Sequence, residues 1–551
     1  MAREQTHTTQ ETDSTESRIM DDGRGKTAGE LLWMAPALVA GVCIFLFYLE
    51  SHQYPAFGAG LYFRIAEEIA ANGYALPERI PGYTADGVPF AYPPLMFYVL
   101  AALQDLTGLR AVTIARFLPG IVSVAYLVPL YFLARDLLGS RIQATLAAFV
   151  VAVSPPVLQW HISAGGIVRA PATLFALTGI YACLRLFRDD ERRWLVPAMV
   201  AFALTILTHP VYTVFFAVSA LLLYVSFDRS VRGFASGAAV AVGGVVLTAP
   251  WWAQVLATHG PAVFAAAAGT HGGIGSSIPT VDQFVRRFLG ETLFLSIWKV
   301  VPVVGCLYLL AQRRYFLPAW LATVILTVEK PRFVFLVGAF VSAAFLLDGL
   351  LPRLRREATA LDREETVAFS VVAFAVLGVS TGALYAAGGV DAHAGSPSLP
   401  QFVDDGEVAA MDWAERSTSP DARFVVLGDA AEWFPQQADR TILVGPWGVE
   451  WEGQDAYRQQ LHQFRRTSRC ENALCLSGEL EQAGVHPDYV FVPKGKYTVR
   501  GMKKDRGEAM VTTMLFSPQY HLAFENDDVA VFRVADGWPP LDPPASAPEP
   551  R

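Results

Sequence analysis

The chain has 551 residues, of which 53% are hydrophobic and only 17% are charged, and its formal net charge is −8. Since soluble proteins carry about 25% charged residues, this composition excludes an ordinary soluble enzyme. The sequence contains no basic block, which argues against a nucleic-acid partner. The long apolar runs lie almost entirely between residues 31 and 387, and they predict a polytopic α-helical membrane protein.

The chain begins with a polar segment, residues 1–29, which we expect to be a disordered cytoplasmic leader because it has neither an apolar core nor a cleavage site. Eleven apolar segments follow that approach the roughly 17–25 residues needed to cross a bilayer. They are 31–49, 112–134, 142–158, 171–187, 194–208, 210–227, 233–252, 292–311, 315–328, 331–349 and 367–387. They predict a transmembrane domain over residues 30–390 with about eleven spans.

Segment 91–107 is also apolar, but it opens with Pro93-Pro94 and contains Gln104 and Asp105. If this segment lies along the outer interface, the arginine-rich connections between spans all fall on one side of the membrane, as the positive-inside rule requires. We therefore expect it not to span. The N-terminus is then cytoplasmic, and both loop 50–111 and the region after 388 are extracytoplasmic.

Both of these extracytoplasmic regions are long enough to fold. Loop 50–111 contains two helical patterns, 60–72 and 94–106, and long ordered loops usually carry function. Residues 400–535 alternate helical patterns with short apolar runs typical of buried strands, which predicts a separate soluble α/β domain. The runs are 424–428, 441–445, 489–493, 520–525 and 529–534. The Pro-rich residues 536–551 are expected to be disordered.

Cys470 and Cys475 are the only cysteines outside the predicted spans. Their spacing allows a disulfide bond if the domain faces an oxidising exterior. Two unrelated thiols are the alternative interpretation. A Cys-x4-Cys pair with no nearby histidine or second pair is poor evidence for zinc, so the sequence predicts no metal ligands here.

The loop after the first span has a recognisable layout. A helix with a Tyr-x-x-x-Ala pattern starting at Tyr62 is followed by Asn-Gly-Tyr, a Pro/Gly-rich turn, and Tyr-Pro-Pro-Leu starting at Tyr92. This layout resembles the first extracytoplasmic loop of the GT-C class of membrane glycosyltransferases, which includes protein O-mannosyltransferases and aminoarabinose transferases. That class usually has an acidic pair four and three residues before the tyrosine, where this chain has Gly58 and Ala59.

The resemblance implies a GT-C-like fold and an activity. The donor would be a sugar on a polyprenyl phosphate, the acceptor an extracytoplasmic glycan, lipid or protein, and the location the outer face of the plasma membrane. No other cofactor is implied, and metal dependence stays open. A non-catalytic relative that binds lipid-linked glycans is the alternative. A transporter is disfavoured because the sequence has no repeated halves.

Transfer from a polyprenyl phosphate needs a carboxylate to deprotonate the acceptor hydroxyl and cations to hold the departing phosphate. Glu50, at the end of the first span, is the predicted base, and Asp86 is the second candidate. An interfacial anchor is the alternative for Glu50, and an ordinary Asp-Gly turn is the alternative for Asp86. Glu67 and Glu68 are expected to face solvent. Direct displacement implies inversion at the anomeric carbon.

The predicted phosphate ligands are cations beside spans. Arg332, with Lys330 next to it, precedes the span at 331–349, and GT-C relatives often place an arginine at this point of the chain. Arg169 follows two glycines in QWHISAGGIVRAPA, and an arginine beside a span is costly without an anionic partner. A structural pair with Glu50 is the alternative for Arg169.

Four further residues complete the predicted substrate-binding set. They are His161, His209, Tyr62 and Tyr92. A histidine at membrane depth suggests a function, although helix capping before Pro210 also explains His209. The Gly/Ser-rich segment 269–288 is interpreted either as a lid over the site or as a flexible connector. Metal binding by His259 and His271 is disfavoured by their spacing.

Overall fold

The computed structural model describes residues 29–270, 293–328, 330–357, 363–393 and 396–535. The predicted leader, the predicted tail, Glu329 and most of segment 269–288 lie outside the described residues.

Six helices are long and apolar enough to cross a membrane. They are Gly29–Ser51, Ala111–Leu138, Gly166–Arg188, Pro210–Phe227, Pro331–Leu354 and Ala368–Ala386. Two further spans result if each of two bent helix pairs crosses once: Arg141–Val153 with Pro155–His161, bent by 61°, and Val231–Leu247 with Ala249–His259, bent by 59°. The described residues thus form a multi-pass membrane protein with six to eight spans.

The predicted count of eleven is not reproduced, because several predicted spans are short helices. Leu195–Ile206 and Phe316–Thr327 have 12 residues each, which at 1.5 Å per residue is about 18 Å. That is well below the roughly 30 Å of a hydrocarbon core. The helix Leu293–Ala311, which precedes Phe316–Thr327 in the chain, is longer and has 19 residues.

Segment 91–107 forms the 13-residue helix Leu95–Thr107, which is also too short to cross alone. It begins after Pro94, and the backbone N–H of Leu95 donates to the carbonyl of Leu207 at 2.9 Å. This bond joins the start of the helix to the corner between Leu195–Ile206 and Pro210–Phe227. The sidedness of the segment stays a prediction.

The membrane helices pack through small residues and a few polar pairs. A Cβ atom added to Gly179 would lie 2.2 Å from the ring of Phe216, so the missing side chain allows two spans to approach closely. On the same helix as Phe216, the hydroxyl of Ser219 accepts a hydrogen bond from the indole N–H of Trp320, in the helix Phe316–Thr327, at 2.8 Å. This hydrogen bond thus pairs two buried polar groups of neighbouring helices.

The chain outside the spans is built from short helices and strands. The helices are Gly60–Ala71, Ala262–Thr270, Leu351–Glu357 (whose start overlaps the end of the span Pro331–Leu354), Asp405–Ser417, Phe434–Ala438, Gln454–Ser468, Ala473–Gln482 and Ala509–Leu515. The strands are β1 (Arg79–Ile80), β2 (Val88–Pro89), β3 (Asp391–His393), β4 (Ser396–Pro397), β5 (Arg423–Val426), β6 (Thr441–Ile442), β7 (Tyr489–Pro493), β8 (Gly495–Val499), β9 (Met502–Arg506), β10 (Tyr520–Glu525) and β11 (Val529–Val534).

The five predicted strands of the C-terminal region lie in one mixed sheet with the order β10-β11-β7-β5-β6. β5 runs parallel to β6 and β7, whereas β11 pairs antiparallel with β7 and β10. The Asp405–Ser417 helix begins with a capping box formed by Asp404 and Glu407, which satisfies two backbone N–H groups at its start. Cys470 and Cys475 form the expected disulfide.

The C-terminal region and the first loop share one hydrophobic core. Side chains of 59–115 and of 402–534 belong to the same buried cluster. At the contact, the rings of Phe63 and Trp433 stack at 6.3 Å, and the backbone N–H of Ile442 donates to the carbonyl of Gly82 at 2.9 Å. The two regions therefore have a joint core, in which the apolar faces of the loop helices are covered by the C-terminal region. We call residues 402–534 the C-terminal unit.

Candidate functional site

A cavity of about 670 Å³ lies where the first loop, the ends of several membrane helices and the C-terminal unit meet. Six of the nine predicted site residues line it: Tyr62, Tyr92, Arg169, His209, Lys330 and Arg332. They come from five separate segments of the chain. The fold thus brings together side chains that the sequence could only propose one by one.

Three of these lining residues are cations at the starts of membrane helices, Arg169, Lys330 and Arg332, and we call them the cation wall. Arg332 is only 8% exposed, and its guanidinium lies 5.3 Å from the ring centre of Tyr212. Among the described residues, its Nε has no hydrogen-bond partner. A buried guanidinium with an unused donor is suited to an anion.

Arg169 extends over the ring of Trp160 at 4.9 Å, and its Nη1 donates to the carbonyl of Gly165 at 2.7 Å. Its predicted alternative, a pair with Glu50, is not present. Within the described part of the chain, neither Arg169 nor Arg332 forms a salt bridge with a carboxylate. Neither positive charge is thus neutralised by an ion pair within the described residues.

The two predicted histidines have different positions. His209 lines the cavity, and its Nδ1 accepts from the backbone N–H of Val211 at 3.3 Å, so the capping role is present as well. His161 is 1% exposed and lies behind the cavity, with Nε2 2.7 Å from the hydroxyl of Tyr212 and Nδ1 3.1 Å from that of Tyr126. It therefore orients Tyr212, the ring beside Arg332, and contacts no space open to substrate.

Neither predicted base lines the cavity. Glu50 is exposed at the end of the first span, and Asp86 is exposed in the turn between β1 and β2. Only the backbone carbonyl of Asp86 is engaged, by Nε of Arg79 at 3.0 Å. A general base must lie within hydrogen-bond reach of the proton it takes, so neither position fits a reaction inside this cavity, and the assignment of the base stays a prediction.

The carboxylates that do line the cavity are Glu432 and Glu450 of the C-terminal unit, and we call them the carboxylate wall. Glu432 ends the 3₁₀ turn Asp429–Glu432 that follows β5. Burial raises the pKa of Glu432 to about 8, an effect that the nearby Arg500 opposes and Asp429 reinforces. Glu450 accepts a hydrogen bond from the hydroxyl of Tyr92.

A buried carboxylate holds Arg500, a further cation at the cavity, in place. Asp429 is 1% exposed, and its two oxygens accept from the backbone N–H groups of Arg500 and Gly501, both at 2.7 Å. These two residues form the turn between β8 and β9 with φ of 54° and 75°, a conformation that is uncommon for a residue other than glycine. Asp429 therefore anchors the turn that carries Arg500 to Glu432.

Aromatic rings form much of the remaining surface. Tyr92 meets Trp451 edge-to-face at 4.7 Å and Tyr62 at 6.3 Å. Burial and the neighbouring Glu450 carboxylate raise the pKa of Tyr92, so its hydroxyl stays protonated as a donor. Rings with polar edges beside a few charged groups are typical of cavities that orient an organic ligand.

The sequence missed Glu432, Glu450 and Arg500 because they lie in what reads as an ordinary soluble region. One signal was available. Leu427-Gly428-Asp429 ends a predicted buried strand, and ligands of α/β sheets often bind beyond the carboxyl ends of strands. Among the described residues, no group of three or more His, Cys, Asp or Glu side chains is arranged to hold a metal ion.

Comparison with known proteins agrees with this architecture. The family model of dolichyl-phosphate-mannose-protein mannosyltransferases matches residues 91–253, less than half of the chain. No curated protein matches the chain in sequence. Solved structures give a broader likeness. The oligosaccharyltransferase of Archaeoglobus fulgidus, tethered with an acceptor peptide, has a TM-score of 0.53 and 13% identity, over 84% of this chain and 69% of that one.

Two further structures are similar over 92% of this chain. ArnT from Cupriavidus metallidurans has a TM-score of 0.53 and 14% identity and is covered over 98% of its length. The arabinofuranosyltransferase AftD from Mycobacteria has a TM-score of 0.55 and 17% identity, but this chain spans only 40% of it. At such identities the likeness establishes the fold. The predicted resemblance to the GT-C class of membrane glycosyltransferases is thereby confirmed.

Proposed function

We propose that this chain moves a sugar from a polyprenyl-phosphate donor to a hydroxyl group of an extracytoplasmic glycan, lipid or protein, at the outer face of the plasma membrane. The observation that carries the proposal is the cavity in which the cation wall and the carboxylate wall meet. Transfer needs both kinds of group, because charge develops on the departing phosphate while the acceptor loses a proton.

The cation wall is suited to the donor phosphate. Arg332 and Lys330 lie at the start of the span Pro331–Leu354, and Arg169 lies in the first turn of Gly166–Arg188. Such positions are near headgroup depth, where the phosphate of a membrane-anchored lipid resides. Each cation stabilises the negative charge that grows on the phosphate as the bond to the sugar breaks, and direct displacement would invert the anomeric carbon.

Family and structural neighbours support the same chemistry. The matched family is described as using dolichyl-phosphate-mannose and protein, and the A. fulgidus oligosaccharyltransferase has been solved with a peptide and a dolichol-phosphate. The alternative function, a protein that binds lipid-linked glycans without catalysis, would need the cations but no carboxylate. Glu432 and Glu450 in the cavity favour transfer over binding alone.

The proposal is tested with purified protein in lipid vesicles that contain one of a set of defined polyprenyl-phosphate sugars and a mixed panel of acceptors. We expect sugar transfer from at least one donor, inhibited by the sugar-free polyprenyl phosphate. Donor binding without transfer to any acceptor would support the non-catalytic alternative.

A substitution locates the donor in the cavity. Arg332→Ala should weaken donor binding and transfer together by about 10–100-fold, since hydrogen bonds to charged groups contribute about 1.5–3 kcal/mol. Arg193→Ala is the matched control, because Arg193 is 76% exposed and pairs with Glu191 far from the cavity. Equal donor affinity in both variants would contradict the assignment of the phosphate to Arg332.

A further inference from the structure

The contact between the first loop and the turn Asp429–Glu432 supports a more specific assignment, which rests on the function proposed above. We propose that Glu432 is the general base of the transfer, and that the C-terminal unit supplies it at the place where a side chain of residue 58 would otherwise lie. The carboxylate is thus carried by a different segment of the chain from the one in which the sequence led us to seek it.

The geometry at Gly58 is the main support. A Cβ atom added to Gly58 would lie 2.1 Å from Cδ and 2.2 Å from Oε2 of Glu432. At Gly60 the corresponding atom would lie 2.1 Å from the carbonyl oxygen of the same residue. Gly58 does not have the positive φ that would require glycine. Its lack of a side chain is therefore explained by the Glu432 carboxylate that fills the space.

Hydrogen bonds fix the turn against the loop. The hydroxyl of Tyr83 donates to the carbonyl of Glu432 at 2.6 Å, and the indole N–H of Trp433 donates to the carbonyl of Phe57 at 3.3 Å. The helix Gly60–Ala71 starts with no side-chain cap and no acidic residue in its first turn. A carboxylate beside that start is favourable, since helix N-termini attract negative charge.

Glu432 is better placed to accept a proton than the other lining carboxylate. Both carboxylates accept a hydrogen bond, Glu450 from the hydroxyl of Tyr92 and Glu432 from the side chain of Trp447, so the difference between them lies in their surroundings. Glu432 adjoins Arg500 and Arg169, the second of which belongs to the cation wall. A base beside the cation wall can act on an acceptor that attacks the same sugar whose phosphate those cations hold.

The proposed step is balanced. The acceptor hydroxyl oxygen forms a bond to the anomeric carbon while the bond from that carbon to the phosphate oxygen breaks. The electron pair of the broken bond stays on the polyprenyl phosphate, and the hydroxyl proton passes to the Glu432 carboxylate. Glu432 then returns the proton to solvent, and no further reactant is needed.

The first test is Glu432→Gln, which keeps the shape of the side chain and removes its basicity. We expect unchanged donor affinity and a fall in the transfer rate of about 10²–10⁴-fold. Glu481→Gln is the matched control, because Glu481 is exposed on the helix Ala473–Gln482, away from the cavity. Full transfer by Glu432→Gln would overturn the inference, and so would a joint loss of donor binding and transfer, which marks a structural role.

The second test returns the carboxylate to the first loop. Gly58→Asp combined with Glu432→Ala should recover at least tenfold more transfer than Glu432→Ala alone. Gly58→Asn combined with Glu432→Ala has the same volume without a base and should recover none. Equal rates for the two double variants would overturn the spatial equivalence. Failure of wild type to transfer any sugar is a different outcome, because it overturns the proposed function and the base with it.

Discussion

The cation wall and the carboxylate wall of the cavity are built in different ways. The cation wall, formed by Arg169, Lys330 and Arg332, lies at the starts of apolar helices. A charge at such a position costs free energy, so it is easily recognised as unusual in the sequence. Glu432 comes from a soluble unit in which carboxylates are ordinary, and it contacts Tyr83 across 349 positions of sequence. A charged residue beside an apolar segment can therefore be recognised from the sequence alone. A charged residue that the C-terminal unit contributes to the cavity can be recognised only from the contacts of the folded chain.

The largest effect that would sharpen this contrast is the pH dependence of transfer. With a pKa of about 8 for Glu432, only about 1% of it is ionised at pH 6. Since the carboxylate is the active form, kcat/KM should rise about tenfold from pH 6 to pH 7, about fivefold from pH 7 to pH 8, and level above pH 8. A carboxyl group with the ordinary pKa of 4.5 would give a flat profile over that range.

Several ionisable groups near Glu432 also influence how kcat/KM depends on pH. Arg500 and Arg169 lower its pKa, and Asp429 raises it. The phenols of Tyr62 and Tyr83 also adjoin it, and their own pKa values are raised, mainly by burial, so both stay neutral below pH 8. The proposed donor, a sugar on a polyprenyl phosphate, is a phosphodiester whose charge would be constant over this range. Donor binding that is independent of pH, measured alongside, would assign the change to the base.

A smaller effect on transfer is expected when Asp429, which holds the turn of Arg500 beside the carboxylate wall, is changed. Asp429→Asn replaces a carboxylate oxygen by an N–H₂ group facing one of the two backbone N–H donors of Arg500 and Gly501. An unsatisfied buried donor costs about 1–3 kcal/mol, so we expect slower transfer by about tenfold with donor affinity kept. In the same turn, Arg500→Lys keeps the positive charge beside Glu432 and should therefore retain more transfer than Arg500→Ala. Equal transfer by wild type and Asp429→Asn would show that the turn needs no such anchor.

Removing the disulfide should lower the stability of the C-terminal unit without changing transfer at the cavity. Cys470 and Cys475 are five positions apart, and closing so short a loop stabilises a fold by about 2 kcal/mol in the chain-entropy model. The double variant Cys470→Ser with Cys475→Ser should unfold at lower denaturant concentration while transfer per folded molecule stays the same. A selective loss of transfer would connect this end of the C-terminal unit to the cavity.

Much of the fold follows from the sequence because apolar length and strand patterns are local properties. The six long spans, the helix at 60–71 and the five strands of the C-terminal sheet lie where their patterns predict them. The bends after Val153 and Leu247 were not foreseen. Hydropathy reports how much apolar sequence is present, and it does not report whether a helix continues straight through it.

The candidate site was likewise predicted only in part from the sequence. Arg332 and Arg169 were found because their cost at membrane depth is visible in one segment. Glu432 was not found, because its position at the cavity depends on the absence of a side chain at Gly58 and on the turn Asp429–Glu432 packing against the helix Gly60–Ala71. The two glycines at 58 and 60 flanking Ala59 were the only local sign of a close approach, and a glycine alone does not identify its neighbour.

The smallest expected effect concerns the two carboxylates that the sequence favoured as bases. Glu50→Gln and Asp86→Asn alter exposed side chains that do not line the cavity, so each should change the transfer rate and the donor affinity by less than about twofold. Measured beside Glu432→Gln, these variants test whether the base belongs to the first loop or to the C-terminal unit. A fall of 10²-fold or more in either one, with donor binding intact, would return the base to the first loop. The close fit of Glu432 against Gly58 would then be a packing contact, and the carboxylate wall would have to act on the acceptor by binding it.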